Sequence, residues 1–82
     1  MLEYPLWDIV MTVVKSINDI TGSLCVDIIS NGQGKFSFKC FRRDPEDNSG
    51  WYPYGPESDF LYNSSQEAHR AARKVVTWIE RE

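Results

Sequence analysis

The stretch SLCVDIISNGQGKFSFKCFRR at residues 23–43 decides the fold. Two runs with alternating apolar residues, 23–30 and 35–43, flank the sequence NGQG at 31–34. Alternation with a period of two is typical of half-buried strands, and asparagine with glycine between two such runs indicates a turn. The stretch therefore predicts an antiparallel hairpin.

The register of this hairpin determines which side chains share a face. A loop symmetric about residues 32–33 would pair Cys25 with Cys40 and would point the two most apolar stripes to opposite sides. That arrangement is costly when only one side has a helix layer. A type I turn starting at Asn31, with Gly34 left-handed in a G1 bulge, shifts the register by one residue. We expect the shifted register.

In the shifted register Ile28 faces Phe38 and Val26 faces Cys40. The two cysteines then lie on opposite faces and cannot bond within the chain. Two cysteines and one histidine are too few for a metal site with four protein ligands, and no CxxC motif is present. We therefore expect two reduced thiols and no metal.

Amphipathic segments flank the hairpin. Residues 5–20 place their apolar side chains on one face of a helical projection, with Pro5 suited to the first turn and Gly22 to the end. Residues 64–67 (SSQE) form a capping box that begins a last helix. The apolar stripe of that helix comprises Ala68, Ala71, Ala72, Val75, Val76, Trp78 and Ile79.

A third extended segment, WYPY at 51–54, contains Pro53, which is typical of an edge strand. Residues 55–59 predict a turn, and residues 60–62 extend or restart the sheet. The predicted fold is α+β, a two-layer sandwich in the order α-β-β-β-α. Two helices would cover one face of a three-stranded antiparallel sheet.

Length and charge limit the possible functions. The 82 residues predict a single small domain spanning 1–82, and the net charge of −3 argues against a dominant nucleic-acid partner. The charge is uneven, with a sum of −4 over residues 1–60 and +1 over residues 61–82. No apolar stretch approaches the roughly 20 residues that span a bilayer, and no basic residue precedes Lys15 as a signal peptide requires. We expect a cytoplasmic protein without membrane contact.

The sheet face left uncovered by helices is the first candidate surface. Its predicted residues are Cys25, Asp27, Ile29, Ser37, Lys39, Phe41 and Arg43. One of the alternating pairs Trp51/Pro53 or Tyr52/Tyr54 should join them. Aromatic side chains interleaved with Lys39 and Arg43 can bury a partner's apolar group or stack on bases. The alternative is that these aromatic residues complete a second small core beneath the neighbouring loops.

The basic face of the last helix is the second candidate surface. Arg70, Arg73 and Lys74 could contact phosphates or an acidic protein, or could simply be solvated near the helix C-terminus. The predicted α-β-β-β-α order resembles that of double-stranded RNA-binding domains. That family carries a lysine cluster at the start of its second helix, where this sequence has SSQE at 64–67.

No nucleophile–base arrangement, phosphate-binding glycine loop or metal-spaced cluster is recognisable, so we expect neither an enzyme nor a cofactor. The leading interpretation is a small interaction protein that binds an unknown protein partner or forms a homodimer. The open sheet face and the aromatic edge at 51–54 would carry this role. The alternative is a nucleic-acid-binding module. The candidate binding residues are Lys39, Phe41, Arg43, Trp51, Tyr52, Tyr54, Arg70, Arg73 and Lys74.

Overall fold

In the part of the chain that the structure describes, four β-strands are followed by one α-helix. The structure is a computed structural model that describes residues 11–44, 46 and 50–81. In chain order the elements are β1 (Thr12–Asn18), β2 (Leu24–Ser30), β3 (Phe36–Arg42), β4 (Tyr52–Glu57), α1 (Ser65–Val75) and a 3-10 turn (Thr77–Arg81). The strands form one antiparallel sheet in the order β1-β2-β3-β4.

The β2–β3 hairpin has the predicted register. Val26 lies opposite Cys40, and Ile28 lies opposite Phe38. The apolar stripes of both strands therefore point to the same side of the sheet. The two cysteines are unbonded, as the shifted register predicts.

The turn that sets this register differs from the predicted type. Gly34 has the expected positive φ of 86°, but Gly32 has a φ of 79°, where a type I turn from Asn31 requires about −60°. The side chain of Asn31 organises the loop, because its Oδ1 accepts hydrogen bonds from the backbone N–H groups of Gln33 and Lys35. The prediction of a type I turn is therefore wrong, although the residues chosen for it do shape the loop.

The predicted first helix is wrong where the structure describes it. Residues 12–18 form β1, paired with β2, and residues 5–10 of the predicted helix lie outside the described residues. Only Ile17 of this strand is buried, whereas Val13 and Val14 are 50% and 47% exposed. A helix would have placed all three on its apolar face.

A β-bulge explains the misleading pattern. Val13 pairs with Ile29 and Lys15 pairs with Ile28, so Val14 is an extra residue in β1. One inserted residue shifts the alternation of the strand, and apolar residues then fall at a spacing that imitates a helix. The high content of β-branched residues was the signal that favoured a strand.

The turn after β1 is held by an aspartate. Asp19 Oδ1 accepts from the N–H groups of Ser23 and Leu24, and the Thr21 hydroxyl donates to Oδ2 at 2.7 Å. Desolvation opposes ionisation of this carboxyl, but these hydrogen bonds outweigh it and hold the pKa of Asp19 below its ordinary value. Gly22, which the sequence suggested as a helix end, has a φ of 77° within this turn. Residues 19–23 therefore form the turn of the β1–β2 hairpin and not the end of a helix.

The last helix begins as predicted. Ser64 is its N-cap, and its hydroxyl accepts a hydrogen bond from the N–H of Glu67 at 3.1 Å. The helix ends sooner than the apolar stripe suggests, because Val76 adopts an extended conformation with its N–H bonded to the Ala72 carbonyl. Val75, expected in the buried stripe, is exposed.

The predicted fold class is corrected by these assignments. The sheet has four strands rather than three, and one α-helix with a 3-10 turn covers it rather than two helices. Over the residues that the structure describes, the order is four strands, then α1 and the 3-10 turn, rather than α-β-β-β-α, so the likeness to double-stranded RNA-binding domains does not hold there. The last strand is at an edge as Pro53 indicated, but it continues through residues 55–57, where a turn was expected.

One face of the sheet carries the core. Helix α1 packs against β2 and β3, where its buried small residues allow close approach. The core comprises Ile17, Val26, Ile28, Phe38, Cys40, Ala68, Ala72, Val76 and Ile79. Tyr62 closes one end, since its backbone pairs with Phe36 and its ring stacks on Phe38 at 6.4 Å between centroids.

Substitutions in β1 distinguish the strand from a helix. Ile17→Ala should lower the free energy of unfolding by about 2–4 kcal/mol because it leaves a cavity beneath α1. Val13→Ala should change it by less than about 1 kcal/mol, since this side chain is exposed. Urea unfolding followed by circular dichroism measures both. Similar losses for the two variants would contradict the strand assignment.

Candidate functional site

The sheet face opposite α1 is called the open face here. The register places on it side chains from all four strands: Ser16, Asn18, Cys25, Asp27, Ile29, Ser37, Lys39, Phe41, Pro53 and Glu57. Cys25 and Ser37 are buried even so, with 6% and 3% exposure. Parts of the open face are therefore shielded from solvent.

A hollow lies near one end of the open face. It has a volume of about 310 Å³ and is lined by Ser16, Asn18, Cys25, Asp27, Phe41 and Trp51. These residues come from β1, β2 and β3 and from Trp51, which directly precedes β4. Polar side chains from β1 and β2 lie beside two aromatic side chains, a combination typical of sites that orient a bound group.

The polar side of the hollow is a connected cluster. The Ser16 hydroxyl donates to Asp27 Oδ1 at 2.6 Å, and the Cys25 thiol donates to the same oxygen at 3.1 Å. Ser16 Oγ also lies 3.3 Å from Cys25 Sγ. Because both donors converge on Oδ1, the position of the Asp27 carboxylate is fixed by its neighbours.

The thiols of the protein are weakly acidic. Burial raises the pKa of Cys25 to about 11, and the adjacent carboxylate of Asp27 adds to the effect while the Ser16 hydrogen bond opposes it. Burial likewise raises the pKa of Cys40 to about 11 on the other face, with smaller contributions from Cys25 and Glu57. A thiol needs its thiolate form to act as a nucleophile, so neither cysteine is activated for attack.

The aromatic side of the hollow is bordered by cations. The guanidinium carbon of Arg43 lies 4.8 Å from the centroid of the Trp51 ring, and Lys39 Nζ lies 5.7 Å from that of Phe41. Arg43 is also tied to the β1–β2 turn, because its Nε donates to the Gly22 carbonyl at 2.9 Å. Both rings therefore already make cation–π contacts at the edge of the hollow.

The four aromatic and proline positions at 51–54 divide between the two faces. Trp51 joins the hollow, whereas Tyr54 lines a second depression of about 190 Å³ with Val76 and Trp78 on the helix side. Tyr52 lies opposite Arg42, and the guanidinium of Arg42 lies 5.4 Å from the centroid of the Tyr54 ring. Of the two pairs that the sequence left open, Trp51/Pro53 belongs to the open face.

The basic residues of α1 are remote from the hollow. Ala68 and Ala72 face the sheet from the other side, and Arg70, Arg73 and Lys74 are exposed. The nine candidate residues therefore do not form one surface. Lys39, Phe41, Arg43 and Trp51 come together on the open face, and the others lie on the helix side.

Sequence reasoning missed the polar half of the hollow. Ser16 and Asn18 were assigned to a helix, so nothing placed them beside Cys25 and Asp27. Asp27 was expected on the open face but was not among the candidate binding residues. Treating residues 12–18 as a strand with a bulge would have brought all three polar side chains to one face.

The hollow contains no histidine, because His69 lies on α1 beside Lys15, whose Nζ is 3.2 Å from His69 Nδ1. Among residues 11–44, 46 and 50–81, no group of three or more histidine, cysteine, aspartate or glutamate side chains is arranged to hold a metal ion. In the same ranges no helix has the length and apolar character to cross a membrane.

Comparisons with protein-family models, with curated proteins and with solved structures gave no match to this chain.

The raised pKa values predict slow alkylation of both cysteines. At pH 8, iodoacetamide should modify the native protein far more slowly than the protein in urea, because native thiols of pKa about 11 form little thiolate. Mass spectrometry over time measures both rates. Rapid modification of Cys25 in the native state would contradict the described burial.

The same shifts predict a loss of stability in alkali. Well below pH 9 the thiols are protonated in both the folded and the unfolded state, so they add no pH dependence there. Between about pH 9 and 11 the unfolded chain loses these protons first, so the free energy of unfolding should fall as pH rises. A Cys25→Ala/Cys40→Ala variant should show a shallower fall in urea unfolding. An equal fall in both proteins would contradict the prediction.

Proposed function

We propose that the protein is a non-enzymatic interaction module that binds a protein partner through the open face. The observation that carries the proposal is the asymmetry of the sheet. One face is covered by α1, and the other presents a hollow whose wall includes the 41% exposed side chain of Trp51. Two unbonded thiols suit a reducing compartment such as the cytoplasm.

The composition of the open face supports protein recognition. Protein interfaces are enriched in tryptophan, phenylalanine and arginine, and Trp51, Phe41 and Arg43 lie together here. A half-buried polar cluster next to aromatic side chains adds directional hydrogen bonds to apolar contact. A partner would therefore gain both buried area and orientation at the hollow.

The sheet edge at β4 is a less suitable binding element than the face beside it. Pro53 and Pro56 lack N–H groups, and Gly55 adopts a φ of 103°. Prolines on an edge strand hinder the addition of another strand. The partner is thus proposed to contact side chains on the open face rather than to extend the sheet beyond β4.

Trp51 and Tyr54 provide a matched pair for testing the proposal. Both are exposed, at 41% and 55%, but Trp51 directly precedes β4 and lies on the open face, whereas Tyr54 lies within β4 on the other face. Trp51→Ser should abolish capture of specific partners from a lysate of the native host, measured by quantitative mass spectrometry. Tyr54→Ser should leave capture unchanged. Both variants should unfold within about 1 kcal/mol of the parent.

Self-association is measured in parallel by sedimentation velocity across concentration. If the partner is a second copy of the chain, the sedimentation coefficient should rise with protein concentration. Trp51→Ser should abolish this rise, and Tyr54→Ser should preserve it. If Trp51→Ser captures the same partners as the parent protein and leaves any self-association intact, the open face is not the binding surface.

A nucleic-acid role is the second proposal, supported by the pairing of Lys39 with Phe41 and of Arg43 with Trp51. Single strands bind where aromatic side chains stack on bases and cations contact phosphates. The net charge of −3 and the position of the basic residues of α1 on the other side weigh against it. Titration with short RNA and DNA at low salt should show no binding if the leading proposal is right.

A further inference from the structure

The Asp27 carboxylate at the hollow is only partly satisfied. Both of its described hydrogen bonds, from Ser16 and Cys25, reach Oδ1. Within the described part of the chain no ion pair forms with this carboxylate and no donor reaches Oδ2. A half-buried carboxylate that lacks a cation gains free energy when a cationic donor occupies the space beside it.

The neighbouring charges leave room for one cation. Asp27 lies opposite Lys39 on β3, and Lys39 lies opposite Glu57 on β4. This row across the sheet holds two carboxylates and one ammonium group. The ammonium group of Lys39 contacts the ring of Phe41 rather than pairing with Asp27. Arg43 is held at the Gly22 carbonyl and the Trp51 ring. Lys39 and Arg43 therefore border the hollow without pairing with Asp27, so this carboxylate has no cationic partner among the described residues.

The aromatic wall suits a particular kind of cation. Guanidinium is planar, donates from five N–H groups and stacks on aromatic faces, whereas an ammonium group is a compact and strongly hydrated point charge. Trp51 already accepts one guanidinium, that of Arg43, at its ring. A second guanidinium in the hollow would lie between this aromatic wall and the polar residues Asp27 and Asn18.

We propose that the hollow between Asp27 and Trp51 binds an arginine side chain of the partner protein. The inference rests on the proposed function and names the group that the open face recognises. The net charge of −3 favours approach of a basic segment over an acidic one. Arginine rather than lysine is preferred because the site combines a carboxylate with an aromatic wall.

The test uses the full chain and small peptide probes. Blocked Gly-Arg-Gly is titrated into ¹⁵N-labelled protein, and the backbone amide of Asp27 and the indole N–H of Trp51 are followed by NMR. Saturable shifts at both positions are expected. Blocked Gly-citrulline-Gly, which has nearly the same shape without the charge, should bind about tenfold more weakly or worse. Raised salt should also weaken binding of the arginine peptide.

Two isosteric variants distinguish an effect of the Asp27 carboxylate from an effect of the overall charge of the protein. Asp27→Asn removes the charge but keeps an oxygen that can accept from Ser16 and Cys25, and it should weaken arginine binding by about tenfold or more. Asp59→Asn makes the same charge change at an exposed position away from the hollow and should leave binding unchanged. Urea unfolding confirms that both variants are folded.

Three results would overturn the inference: no saturable shift with the arginine peptide, equal affinity for the citrulline peptide, or equal affinity in Asp27→Asn. A single-stranded oligonucleotide that shifts the same two resonances more readily than the arginine peptide would also overturn it. If Trp51→Ser loses the partner but Asp27→Asn keeps it, the proposed function stands and the arginine assignment fails. If both variants keep it, the proposed function fails.

Discussion

The register of the β2–β3 hairpin is the constraint on which the rest of the structure depends. With Val26 opposite Cys40 and Ile28 opposite Phe38, the buried apolar stripes of the two central strands lie on the side of the sheet that α1 covers. A shift by one residue would expose one of these stripes to solvent, because successive side chains alternate between faces. The same register sends Asp27 and Phe41 to the open face, so the candidate site is a consequence of core formation.

The outer strands complete the site that the central hairpin begins. The bulge at Val14 turns Ser16 toward Asp27 and sends Ile17 to the core, so one inserted residue serves both faces. On the other side Trp51 precedes β4 and closes the hollow. Because the hollow draws on strands that are distant in sequence, its shape depends on the sheet as a whole.

The two faces of the sheet carry different kinds of side chain. The helix side uses small apolar residues for close packing and leaves its basic residues in solvent. The open face instead combines a fixed carboxylate, two aromatic rings and their accompanying cations. Both cysteines have raised pKa values because they are buried, which makes them structural rather than reactive groups. Selective non-covalent binding is the activity that we propose from these features.

Local signals in the sequence determined the hairpin, its register, the Ser64 cap and the edge position of the last strand, because each depends on residues close together in the chain. They also identified Phe41 and Lys39 as open-face residues. Local signals failed for β1, since a bulge gives a strand the apolar spacing of a helix. Only the tertiary structure decided that Ser16 meets Asp27 and that Trp51 and Tyr54 part to opposite faces, because strand pairing fixes which distant side chains become neighbours.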